Sequence, residues 1–109
     1  MIWDAKMKDC VKKWLTEQFG DDETIIADVF AEYVRATPEA ISQADQAFAA
    51  ADFPELDRIA HTLKGNALMI GDQESADAAI LLRDAAKALD ADGCRAAIVR
   101  IREVFAAAV

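Results

Sequence analysis

Apolar residues return at steps of three and four along almost the whole chain, and the alternation expected of strands never persists. A chain patterned this way buries its apolar side chains as stripes along helices. Composition agrees: alanine, the best helix former, is used heavily, whereas the 109 residues include only four Gly and two Pro. That length suits a single domain, residues 1–109, able to bury a core without disulfide or metal.

Breaks in the pattern divide it into five helices. Met7, Val11, Trp14, Leu15 and Gln18 stripe a first helix that ends near Gly20. Asp21 and Asp22 supply an N-cap and an acidic first turn for a second, with Ile26, Phe30, Tyr33, Ala40, Ala44 and Ala47 as its seam. Pro38 lacks a backbone N–H and clashes with the preceding turn, so the spacing predicts a kink there or a fresh start with Thr37 as N-cap. Asp52 is placed to cap a third helix, with Glu55 positioned as in a capping box, and this helix ends near Gly71. Asp72 is placed to cap a fourth, whose seam reads Ala78, Leu81, Leu82, Ala85 and Leu89. After the break at Asp90-Ala91-Asp92-Gly93 a fifth runs through Ala97, Ile98, Ile101, Phe105 and Ala108. Breaks this short favour antiparallel neighbours. The predicted fold is all-α, an antiparallel four-helix bundle with an additional N-terminal helix.

Charge and cysteine usage narrow the function classes. A formal net charge of −8 with no basic stripe disfavours nucleic acid and anionic membranes as partners. No apolar run is long enough to span a bilayer, and no charged-then-apolar leader opens the chain. Cys10 and Cys94 are far apart and form no C-x-x-C pair, so they read as small buried hydrophobes in a reducing, cytoplasmic compartment. The Asp90–Gly93 segment begins like a calcium loop, but its glycine arrives at the fourth position rather than the sixth, which favours a plain helix cap. With one histidine and two remote cysteines, no metal site is expected.

The third helix carries that one histidine. On a wheel of about 100° per residue, Leu56, Ile59, Ala60, Leu63, Ala67 and Ile70 form an apolar face. His61, Gly65, Leu68 and Asp72 fall opposite it, flanked by Asp57 and Arg58, and Lys64 lies one turn beyond the histidine on a neighbouring row. His61 therefore points away from the core, as a solvated residue or as a presented nucleophile. Gly65 in mid-helix costs roughly 1 kcal/mol against alanine, and on an outer face it offers clearance beside the imidazole for another protein's backbone. Leu68 suits a docking patch. Lys64 is either a solvated helix lysine or a cation placed to offset a phosphoryl group. The carboxylates of Asp57 and Asp72 would repel such a group unless they point elsewhere or attract a cationic partner surface.

His61-Thr62-Leu63-Lys64-Gly65, followed six residues later by Gly71, resembles the H-x-L-K-G-x5-G signature of histidine-containing phosphotransfer domains. The approach Phe53–Ala60, the Pro38-interrupted second helix and the two alanine-rich helices after Gly71 extend the likeness over nearly the whole chain. The resemblance implies that His61 accepts a phosphoryl group from a receiver-domain aspartate and returns it to another. Lys64 would balance charge, Gly65 would admit the partner, and Gly71 would close the helix and allow tight packing. Asn66 and Asp72 depart from the small residues usual at their positions. The implied partners are response-regulator receiver domains and a hybrid histidine kinase, with Mg²⁺ carried by the receiver and no cofactor on this chain. Arg58, Asp57, Asp72, Leu68, Met69 and outward residues of the first two helices are expected to form the rest of the docking surface.

Free imidazole is substantially neutral at pH 7, which leaves a nitrogen lone pair to attack phosphorus. The sequence has no Walker loop and no kinase nucleotide signature, so the expectation is a monomeric phosphoryl carrier rather than an enzyme. Two rivals stand beside it. One is a helical interaction module that docks a receiver or other protein without transfer. The other is a hydrolase with His61 as general base, which requires a concave pocket.

Overall fold

In a computed structural model that describes residues 7–108, five helices follow one another: α1 (Asp9–Phe19), α2 (Glu23–Ala49), α3 (Phe53–Met69), α4 (Gln73–Lys87) and α5 (Ala91–Ala108). Helices α2 to α5 close into a ring, with α3 packed between α2 and α4 and α5 returning from α4 to α2. This is the predicted four-helix bundle, and α1 is the additional N-terminal helix, leaning on α2. No described helix is long and apolar enough to cross a membrane.

The apolar stripes meet in two clusters. One fills the bundle with Ala40, Ala44, Leu56, Ile59, Leu63, Leu82, Ile98 and Ile101. The other sits under α1, where Met7, Val11 and Leu15 pack with Ile26, Phe30, Tyr33, Ala67 and Ile70. Phe105 touches both, and its ring meets Tyr33 edge-on at 5.9 Å.

Three of the four helix connections use one device. Two residues past the end of each of α2, α3 and α4 stands a residue with positive φ: Ala51 (52°), Gly71 (71°) and Leu89 (55°). The next residue is an aspartate whose N–H bonds back to a carbonyl in the last turn, Asp52 to Ala47, Asp72 to Ala67 and Asp90 to Ala85, each at 2.9 Å. The same aspartate then caps the following helix through its side chain, accepting from Glu55, Ser75 and Gly93 N–H groups. One residue thus satisfies the end of one helix and the start of the next. The chain reverses within three residues each time, and antiparallel packing follows. The Asp90–Gly93 segment is accordingly a helix cap.

Several sequence expectations are corrected. Of the two expectations at Pro38, the fresh start is overturned: helix α2 runs unbroken through the proline, and Thr37 is a buried interior residue rather than a new N-cap. The seam residues on both sides, Tyr33 and Thr37 before the proline and Ala40 and Ile41 after it, are buried together, and this shared burial outweighs the one hydrogen bond the proline forfeits. The α4 seam is rotated: Ser75, Ala76, Ala78, Ala79, Leu82 and Ala86 are buried, while Leu81 is 56% exposed. Small residues let α3 and α5 approach closely, and Leu89 lies beyond the helix in the positive-φ turn. In α1, Trp14 and Gln18 are exposed and the buried residues are Val11 and Leu15, with Met7 buried just ahead of the helix. Only half of the capping box forms, because the Asp52 N–H is already committed to Ala47 and the Glu55 carboxylate turns to Arg58 instead. Both cysteines are free, Cys94 buried as expected but Cys10 exposed. The Ala108 side chain lies outside the described residues.

Candidate functional site

Helix α3 positions the histidine by burying its other side. Leu56, Ile59, Ala60, Leu63, Ala67 and Ile70 are all buried, as the wheel requires, so His61 stands exposed on the crest. Gly65 and Leu68 continue the crest, Leu68 being 42% exposed. Gly65 meets no neighbour: a Cβ built there would find nothing within 4 Å. Packing within this chain does not require glycine at that position, so the clearance faces outward. Lys64 is half-buried at the edge of the crest, and neither it nor His61 has a side-chain hydrogen bond or ion pair among the described residues.

The two flanks of the crest differ. Towards α2, Met69 (69% exposed) and Asn66 line a groove of about 330 Å³ with Val29, Ala36 and the acidic Asp28 and Glu32. His61 is not among the residues lining this groove and stands exposed on the helix, whereas a hydrolase needs its base in a concave pocket. Arg58 stays on the surface, donating through Nε to Glu55 at 2.6 Å. Towards α4, the Asp57 carboxylate accepts from Arg83 Nε at 3.2 Å, with both side chains about one-third exposed. Asp57 therefore does not stand bare beside the histidine.

Asp72 leaves the exposed face of α3 altogether. Its side chain is 0% exposed, and it accepts from Lys8 Nζ (2.9 Å), Tyr33 OH (3.1 Å) and Ser75 Oγ (2.7 Å), besides capping α4. The wheel placed it with His61 only if α3 continued to it, but the chain turns at Gly71 and carries Asp72 inward. Gly71 closes α3 as expected, and a Cβ there would run into Cβ and Cγ of Trp14. The Trp14 indole lies over this turn and donates Nε1–H to the Met69 carbonyl at 3.3 Å, bringing α1 to the edge of the crest. Burial pushes the Tyr33 hydroxyl well above its ordinary range, and the Asp72 carboxylate beside it adds to the rise.

His61, Lys64, Gly65 and Leu68 thus come together, Met69 and Arg58 stand on one flank, Asp57 is turned to α4 and Asp72 is withdrawn. Arg83 and Trp14 were not among the expected site residues, because their partners lie 26 and 55 residues away and no local spacing signals them.

The Hpt domain family model matches residues 28–109, most of the chain. Among solved structures, a histidine-containing phosphotransfer protein from maize aligns with a TM-score of 0.78 at 20% sequence identity, covering 94% of this chain and 76% of that one. At that identity the likeness speaks for the fold. No curated protein sequence matches the chain. The family match spans α3 with its outward histidine and the whole four-helix ring after the first residues of α2, and on that ground the chain belongs to the Hpt domain family, the histidine-containing phosphotransfer domains.

Proposed function

We propose that His61 is the phosphoryl acceptor of a phosphorelay, taking the group from one receiver-domain aspartate and passing it to another. The observation that carries this reading is the crest itself: an exposed imidazole, an unpaired ammonium one turn along and an open glycine beside them. In the forward step an imidazole nitrogen lone pair attacks the phosphorus of the aspartyl phosphate. The N–P bond forms as the P–O bond breaks, and the aspartate leaves with the electron pair as a carboxylate. Such transfers depend on alignment and charge stabilisation more than on groups that make or break other bonds. Lys64 balances the phosphoryl charge, Gly65 admits the partner backbone, and Leu68 and Met69 supply apolar docking area. Mg²⁺ belongs to the receiver in this reading, and the chain acts as a cytoplasmic carrier for receivers and a hybrid histidine kinase.

The test is transfer from phosphorylated receivers of the source genome. An acid-labile, base-stable phosphate is expected on the wild type and not on His61→Gln. Transfer to neither protein from any receiver in that set would sink the reading and leave an interaction module, which receiver binding without transfer would identify.

A further inference from the structure

A phosphoryl group adds about two negative charges to a chain that already carries a formal −8. Lys64 alone does not offset that. Arg58, one turn before His61, is already held by Glu55 through two nitrogens, Nε and Nη2. On the other flank Asp57 lies four residues before His61, a spacing that makes side chains neighbours on a helix. Its partner Arg83 therefore reaches from α4 to within about one turn of the imidazole.

The way Arg83 is held matters. It meets Asp57 through Nε alone, and its Nη1 and Nη2 make no hydrogen bond among the described residues. A guanidinium fixed for structural purposes commonly uses two parallel donors on one carboxylate, and a single bond of 3.2 Å is a weaker hold. The free Nη pair is the fork that suits phosphoryl oxygens. Helix side chains also lean towards their own N-terminus. Because α4 turns back along α3, that direction runs from the level of Asp57 towards that of His61.

Resting on the acceptor reading of His61, we propose that Arg83 is a second cationic ligand of the phosphoryl group, parked on Asp57 until His61 is modified. Phosphorylation then draws the guanidinium from a singly charged carboxylate to a doubly charged phosphoryl group. Lys64, one turn after His61, and Arg83, presented one turn before it on the same flank, bracket the group between them. Asp57 is the positioning residue that holds Arg83 in reach.

The experiment phosphorylates the full chain with phosphoramidate, which needs no receiver, and follows the phosphohistidine by ³¹P NMR. A nearby cation lowers the midpoint of the last phosphoryl ionisation. Arg83→Gln should therefore raise that midpoint by about 0.5 pH unit, and Asp57→Asn, which frees Arg83, should lower it. Losing a positive charge and losing a negative one shift the midpoint in these opposite directions even for a purely structural ion pair, so what separates a phosphoryl ligand from such a pair is the Arg83 side chain itself. The Arg83 Nε–H signal should also move on phosphorylation of the wild type. An unchanged midpoint in Arg83→Gln, or an unmoved Nε–H signal, overturns the assignment. A phosphorylated wild type that no receiver can discharge refutes the relay reading while the Arg83 result stands on its own. Failure of phosphoramidate to modify His61 refutes both.

Discussion

Gly65 and Gly71 sit six residues apart on or beside α3, and their substitutions should have opposite effects on stability. Gly65 is helical with open space at its Cβ position, so Gly65→Ala should stabilise the fold by about 0.5–1 kcal/mol through helix propensity. The added methyl occupies the clearance beside His61, so phosphotransfer should fall at the same time. Gly71 has φ of +71° and Trp14 stands where its Cβ would go. Gly71→Ala should therefore cost about 2–4 kcal/mol, from left-handed backbone strain and the displaced indole together. Urea unfolding of both variants, with transfer assays on Gly65→Ala, checks the pair. A more stable Gly65→Ala protein with undiminished transfer would remove the clearance role. Asp72 shows how context alters one residue type: Asp52 and Asp90 cap helices in solvent, whereas Asp72 caps one while buried and anchors Lys8 and Tyr33.

At the level of elements, the shared-aspartate turns set the antiparallel arrangement but only one of them uses glycine. Ala51 and Leu89 occupy the left-handed region despite their side chains, a strain of about 1 kcal/mol each. Leu89 is 69% exposed and buries little, so Leu89→Gly should raise stability by about 0.5–1 kcal/mol as measured by the urea midpoint. The rotated α4 seam makes a sharper contrast. Leu82 is fully buried, and Leu82→Ala should cost about 2–5 kcal/mol. Leu81→Ala should stay within about 0.5 kcal/mol. Equal losses at 81 and 82 would contradict the observed rotation of the helix. For α3 the register matters to function as well as stability, since the same apolar face that anchors it in the bundle sends His61 outward.

Across the whole molecule, α1 is joined to the bundle by a second apolar cluster and by the buried Lys8–Asp72–Tyr33–Ser75 group. This gives a pH dependence of definite sign. An unfolded tyrosine ionises near pH 10, whereas folded Tyr33 keeps its proton to higher pH because burial disfavours the phenolate. The unfolded state thus releases a proton first. The stability Tyr33 contributes is complete below about pH 10 and is lost as pH climbs from there towards the raised folded value. Urea midpoints between pH 9 and 11 should fall more steeply for the wild type than for Tyr33→Phe, and identical slopes would exclude Tyr33 as the cause. What the sequence determined unaided was whatever depends on neighbours within a turn or two. The five helices, the capping roles of Asp22, Asp52 and Asp72, the buried faces of α2 and α3, and the outward His61 with Lys64 and Gly65 beside it all follow from helical spacing. The tertiary structure alone decided which way α4 rolls, that Asp72 turns inward to Lys8, 64 residues earlier, and that Asp57 faces Arg83, 26 residues later. Periodicity assigns a residue to one side of its own helix. Whether a charge at the edge of that side is bare or neutralised depends on what a neighbouring helix presents to it, and that is a property of the packed bundle.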